Sequence, residues 1–127
     1  MKNVMVCVTQ QKTCDRLIKY GHDLLGQDKG ELFIIHVSHP NIKFLGHPKD
    51  GDALEYLYEK AVEYGANLTV VRSSDVLGTL VSLVDKNQIT HVILGESGEA
   101  SGDSNLILSL QKKISGHASL LVIPANS

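Results

Sequence analysis

Apolar residues follow two rhythms along this chain: short unbroken runs, and longer stretches in which they recur every three or four positions. The first run, Asn3 to Val8, is rich in valine and gives way to the polar TQQKT, as a strand buried on both faces does on leaving a core. From Thr13, which is placed to cap a helix, Cys14, Leu17, Ile18, Gly21, Leu24 and Leu25 draw one helical stripe. The segment GQDKG ends that stripe, with Gly26 and Gly30 permitting left-handed turns. Glu31 to Val37, ELFIIHV, is a second strand. It runs into SHPNIKFLGHPKDGD, a loop of proline, glycine and histidine longer than a turn requires, and such loops often carry function.

Asp52 opens a second helix in which Leu54, Leu57, Tyr58, Ala61 and Val62 face the core, while Glu55, Glu59, Lys60 and Glu63 face water; Gly65 closes it. Asn67 to Arg72 is a third strand, and Ser73, Ser74 and Asp75 supply caps for a third helix carrying Leu77, Leu80, Val81 and Val84 and ending in DKNQ. His91 to Leu94 is a fourth strand, a fourth helix runs from about Asn105 to Lys113, and Ser119 to Ile123 is a fifth strand closed by Pro124. Strands that alternate with helices make a parallel sheet, because parallel neighbours need right-handed helical crossovers. The expected fold is therefore α/β, a three-layer α/β/α sandwich of Rossmann-like kind around a five-stranded parallel sheet. Ligands bind such sheets at the carboxyl edge, where the strand order reverses.

Composition narrows this without redirecting it. A chain of 127 residues builds one domain, 1–127. A formal net charge of -2 gives no electrostatic reason to expect nucleic acid. No apolar run approaches the ~20 residues that span a bilayer, so a cytoplasmic protein with no membrane segment is expected. Cys7 and Cys14 are too few for a disulfide framework and read as reduced thiols, Cys7 within the first strand and Cys14 near Lys12 and Arg16. His36, His39 and His47 lack the cysteine or carboxylate partners of a metal site, and no metal is assigned to them.

The candidate chemistry lies in the stretch Thr90 to Ser109, THVILGESGEASGDSNLILS: a strand, a glycine and serine loop, then a helix start. Free amide donors beside a helix N-terminus form a natural anion site. Gly95, Gly98 and Gly102 allow close backbone approach, and Ser97, Ser101 and Ser104 can donate. The carboxyl edge adds Thr9, Gln10 and Gln11, then Ser38 and His39, then Ser73. This set suits hydrogen bonding to a polar ligand, and it offers no nucleophile with an adjacent base. Neither common phosphate-loop motif is present. Glu96, Glu99 and Asp103 make the loop acidic, and no Lys or Arg occurs between Thr90 and Gln111. A divalent cation such as Mg, or Lys12 and Arg16 reaching over, would have to balance a phosphate there.

The segments VMVCVTQQKTCDRLIKYG, ELFIIHV, THVILGESG and SLLVIP make the chain similar to universal stress protein (UspA-like) domains of the adenine nucleotide alpha-hydrolase-like superfamily. VCVTQQKTCDRLI in particular resembles the stress-protein domain of potassium-responsive (Kdp-type) sensor histidine kinases. The resemblance implies a sheet order of 3-2-1-4-5, a homodimer formed through the last strand, and a regulatory role in stress without turnover. ATP-binding members carry Gly, two residues, Gly, nine residues, then Gly followed by Ser or Thr. Here Gly95, Gly98 and Ser109 match, the third glycine falls on Leu108, and Thr9 stands where those members have an aspartate. The implied ligand is ATP or another adenine nucleotide: Thr9 and Gln10 contact it from the first strand, Val37 and Ser38 offer backbone groups to the base, and Gly95, Ser97, Gly98 and Ser109 hold the phosphates. The missing glycine and the acidic loop fit an alternative, a ligand-free module that docks onto a protein partner in stress or potassium signalling. A slow ATP hydrolase would have only Glu96, Glu99 or Asp103 to draw on as base.

Overall fold

The apolar runs form five strands and the periodic stretches four helices, in strict alternation: β1 (Val4–Cys7), α1 (Gln11–Leu25), β2 (Leu32–Ser38), α2 (Asp50–Tyr64), β3 (Asn67–Arg72), α3 (Val76–Lys86), β4 (His91–Gly95), α4 (Asp103–Ile114) and β5 (Ser119–Ile123). The computed structural model describes residues 2–8, 11–27, 29–38, 50–95 and 103–123, with the backbone alone at 11–14, 38, 50, 53 and 103–107. Every ladder is parallel and the order is β3-β2-β1-β4-β5, as the resemblance implied.

β1 is the central strand, and its two faces seed two cores. Val4, Val6 and Val8 pack with Leu17 and Ile18 of α1 and Leu57 and Ala61 of α2. Met5 and Cys7 pack with Leu80 and Val84 of α3 and Leu110 and Ile114 of α4. Each Val, Leu, Ile or Met side chain among these, once fully buried, contributes about 1.5–3 kcal/mol. On the first face α1 lies very close to the sheet: a Cβ at Gly21 would stand 2.5 Å from Val6 Cγ2, so only glycine permits that approach.

At the amino edge, Asn3 ties four elements together. Its carbonyl accepts from Thr90 N at 2.8 Å and its Oδ1 from Glu31 N at 3.2 Å, while its Nδ2 donates to the Gln88 carbonyl at 3.1 Å. These bonds align the starts of β1, β2 and β4 with the end of α3, and no local pattern announces them.

Several expectations are corrected. The helices begin at Gln11, Asp50 and Asp103, not at Thr13, Asp52 and Asn105, because a first helical turn needs no apolar residue and periodicity registers only where core contact starts. The second strand starts at Leu32, not Glu31, and runs on to Ser38. Tyr58 and Val62 do not face the core, each being 64% exposed. α2 is turned towards α1, so Leu57 and Ala61 are buried, Tyr56 and Tyr64 pack on the core edge, and Lys60, instead of standing free in water, bonds Asp15 of α1 at 3.0 Å. That ion pair and the Glu63 carboxylate at 3.2 Å raise the Lys60 pKa through hydrogen bonds to the ammonium form. Gly26 does adopt a left-handed φ of 56°, but Gly30 does not; it is small because the Lys2 carbonyl occupies the place of a Cβ.

Candidate functional site

The strand order reverses between β1 and β4, whose following segments lead to opposite sides of the sheet, so the crevice of a doubly wound sheet opens beyond their carboxyl ends. Ile35, Cys7 and Leu94 stand at one level across β2, β1 and β4. Gly95 of β4 lies one residue beyond that level and Val37 of β2 two residues beyond it. Gly95 pairs with Ile123 of β5, and a Cβ built on it would stand 3.0 Å from Leu17 Cδ1. α1 therefore leans over the end of β4, which supplies a packing reason for glycine here beside any reason a phosphate supplies.

The end of β2 carries the best-defined geometry of this edge. Val8 N donates to the Ile35 carbonyl at 2.9 Å, yet the β1–β2 ladder stops at Cys7↔Ile35. A further pair, Val8 with His36, would need the Val37 N–H on the Val8 carbonyl. That carbonyl instead accepts the His36 ring, with Nδ1 at 2.7 Å. A carbonyl oxygen only accepts, so His36 carries its proton on Nδ1 in the neutral ring. Backbone groups of alternate residues in a parallel strand point to the same neighbour, so the N–H and C=O of Val37 face the crevice side as those of Ile35 do. Ser38, in register with Arg72, turns its backbone towards β3.

His36 is 3% exposed, a polar side chain on the strand face that also carries Leu32 and Ile34. Burial lowers its pKa from the usual 6.5, the bond to Val8 pulls it back up, and the Arg72 charge pushes it down. Arg72, exposed at the end of β3, places positive charge on this same edge. The sequence pattern assigned no metal to His36 and placed Arg72 at the end of the third strand. The signal that could have found them is a polar residue breaking a continuous apolar run just before the carboxyl edge.

Of the residues expected at the site, Val37, Ser38, Gly95 and Ser109 are described; Thr9, Gln10, Ser97 and Gly98 lie outside the described residues, as do Glu96, Glu99, His39 and His47. Ser109 is half-buried inside α4, beside the fully buried Leu110. Leu108, at the place of the third glycine, is 57% exposed, so its side chain projects largely into water. Among the described residues no cluster of His, Cys, Asp or Glu could hold a metal ion, and no helix is long and apolar enough to cross a membrane. Chemically, the described part of the edge offers backbone donors and acceptors at the end of β2.

Known structures share this architecture. A universal stress protein in complex with cAMP superposes with a TM-score of 0.63 at 16% identity, over 96% of this chain and 95% of that one. The universal stress protein from Archaeoglobus fulgidus in complex with dAMP gives 0.58 at 17% identity, over 98% and 97%. A universal stress protein family protein from Arabidopsis thaliana with AMP bound gives 0.53 at 15% identity, over 100% and 95%. At these identities the likeness establishes the fold. No curated protein matches significantly. The profile of the universal stress protein family matches residues 1–124, and with that span, this strand order and these structural neighbours, the chain belongs to the universal stress protein family.

Proposed function

We propose that this protein binds an adenine nucleotide at the carboxyl edge of its sheet, in the crevice beyond β1 and β4, as a regulatory ligand that is not turned over. The observation that carries the reading is the end of β2. There the Val37 N–H and C=O, past the last rung of the β1 ladder, offer a donor and an acceptor side by side. Adenine presents the complementary pair, a ring-nitrogen acceptor next to its exocyclic amino donor. In this reading Thr9 and Gln10 contact the ligand from the end of β1, Val37 and Ser38 offer backbone groups to the base, and Gly95, Ser97, Gly98 and Ser109 hold the phosphate.

The three structural neighbours are complexes of cAMP, dAMP and AMP, each with a single phosphate. A monophosphate also suits this chain better than ATP. Glu96 and Glu99 follow β4 and Asp103 opens α4, the third glycine is missing, and a triphosphate there would need Mg or another cation to offset like charges. Calorimetry with AMP, cAMP and ATP, the last with and without Mg, tests the proposal. AMP or cAMP is expected to bind more tightly than ATP, and the absence of heat with all three at millimolar ligand overturns the reading.

Leu108, apolar and largely exposed where ATP-binding members have glycine, favours a second reading, a ligand-free module that docks onto a signalling protein. The likeness of its first strand and helix to the domain of potassium-responsive sensor kinases makes stress or potassium signalling the setting for either reading. Mass spectrometry of small molecules released from the purified protein separates the two: an adenine nucleotide is expected under the first, none under the second. In both, the protein pairs as a homodimer through β5 in the cytoplasm.

A further inference from the structure

The bond between His36 and Val8 is more than a buried histidine finding a partner. Val8 is the last described residue of the first strand segment, and both of its backbone groups are held by β2: its N–H by the Ile35 carbonyl at 2.9 Å and its C=O by the His36 ring at 2.7 Å. A regular ladder would place the Val37 amide on that carbonyl. The imidazole takes the amide's place, and the ladder ends one rung early.

The substitution does two things at once. It satisfies a buried carbonyl, which would otherwise cost its full desolvation, and it leaves the Val37 N–H without a ladder partner in β1 while still aimed into the crevice. A purely apolar residue at 36 would leave the Val8 carbonyl to recruit the Val37 amide, extend the ladder by one rung and close the donor to a ligand.

We propose that His36 is a positioning residue for the nucleotide site: by capping the Val8 carbonyl from within β2 it keeps the Val37 N–H available to the base. The inference rests on the nucleotide reading above and names the device that prepares that site for a base. His36 touches no ligand atom in this scheme; it acts through Val8 and Val37.

Two substitutions separate the hydrogen bond from the bulk. His36→Leu keeps an apolar filling and removes the donor. His36→Asn keeps a donor in place, because the Asn amide nitrogen stands one bond beyond Cγ, as Nδ1 does in the ring. Calorimetry with AMP is run on the wild type and both variants, with a melting curve for each. His36→Leu is expected to bind AMP about tenfold more weakly, and His36→Asn within about twofold of wild type. Amide spectra of the nucleotide-free proteins should show the Val37 N–H moving in His36→Leu and restored in His36→Asn. If His36→Leu fails to fold, His36→Val, β-branched as strands prefer, replaces it. Equal affinity of all the proteins, or equal weakening by both substitutions, overturns the inference and leaves the nucleotide reading standing. A wild-type protein that binds no AMP overturns the nucleotide reading and the inference with it.

Discussion

His36 is a neutral ring in a place that resists charge. Burial and the Arg72 charge both lower its pKa below 6.5, so on acidification the unfolded chain takes up the proton before the folded one does. Stability from this group is therefore complete above about pH 6.5, falls as pH drops below it, and levels off once the folded ring itself is protonated. The urea midpoint of the wild type is expected to fall between pH 7 and 5, and that of His36→Asn to fall less; parallel declines would place the proton uptake on other groups. At Gly21 the effect is steric. Gly21→Ala, with its Cβ 2.5 Å from Val6 Cγ2, is expected to cost about 1–3 kcal/mol in urea denaturation despite the better helix propensity of alanine. The sequence placed Gly21 on the apolar stripe of α1 correctly, but only the depth of the helix against β1 shows why glycine must be there.

Among the elements, α3 shows how far local chemistry can be read ahead of structure. Asp75 is its N-cap, accepting from Gly78 N at 3.0 Å, and the Ser73 hydroxyl bonds the Asp75 N–H at 3.1 Å and the Thr79 hydroxyl at 2.9 Å. Asp75→Ala is expected to lower stability by about 1 kcal/mol, measured by urea denaturation, with no change in AMP affinity. Caps of this kind are legible because their partners lie within one turn. The strands were legible for a related reason: short β-branched and apolar runs mark them locally, and β3 and β5 fall at the expected bounds although, as edge strands, they are only partly buried. The rotation of α2 was not legible. Tyr58 and Val62 carry as much apolar character as Leu57 and Ala61, and the choice between the two faces is made by α1, through Asp15 and Lys60, from a distant part of the chain.

For the molecule as a whole, the fold was readable, and for the candidate site the sequence named only the sheet edge it would occupy. Strand alternation fixes the class, and the class fixes the edge where a ligand can bind. The contacts observed at that edge join residues far apart in the chain, Val8 with His36 and Gly95 with Leu17, and only the register of the assembled sheet brings them together. Edge strands have consequences at this scale too. Val122 on β5 is 38% exposed on a short apolar edge, the kind that is normally paired. Val122→Lys is expected to shift the proposed dimer to monomer in analytical ultracentrifugation, and an unchanged sedimentation coefficient would move the dimer contact elsewhere. The central strand presents the opposite case. Cys7 lies in β1 with 5% exposure, ladders on both sides, and a thiol pushed by burial up to about 12. Such a thiol cannot meet an alkylating reagent while β1 stays in place. In a Cys14→Ser background, the labelling of Cys7 under native conditions becomes a clock whose ticks are openings of the innermost strand, and a bound nucleotide should slow it.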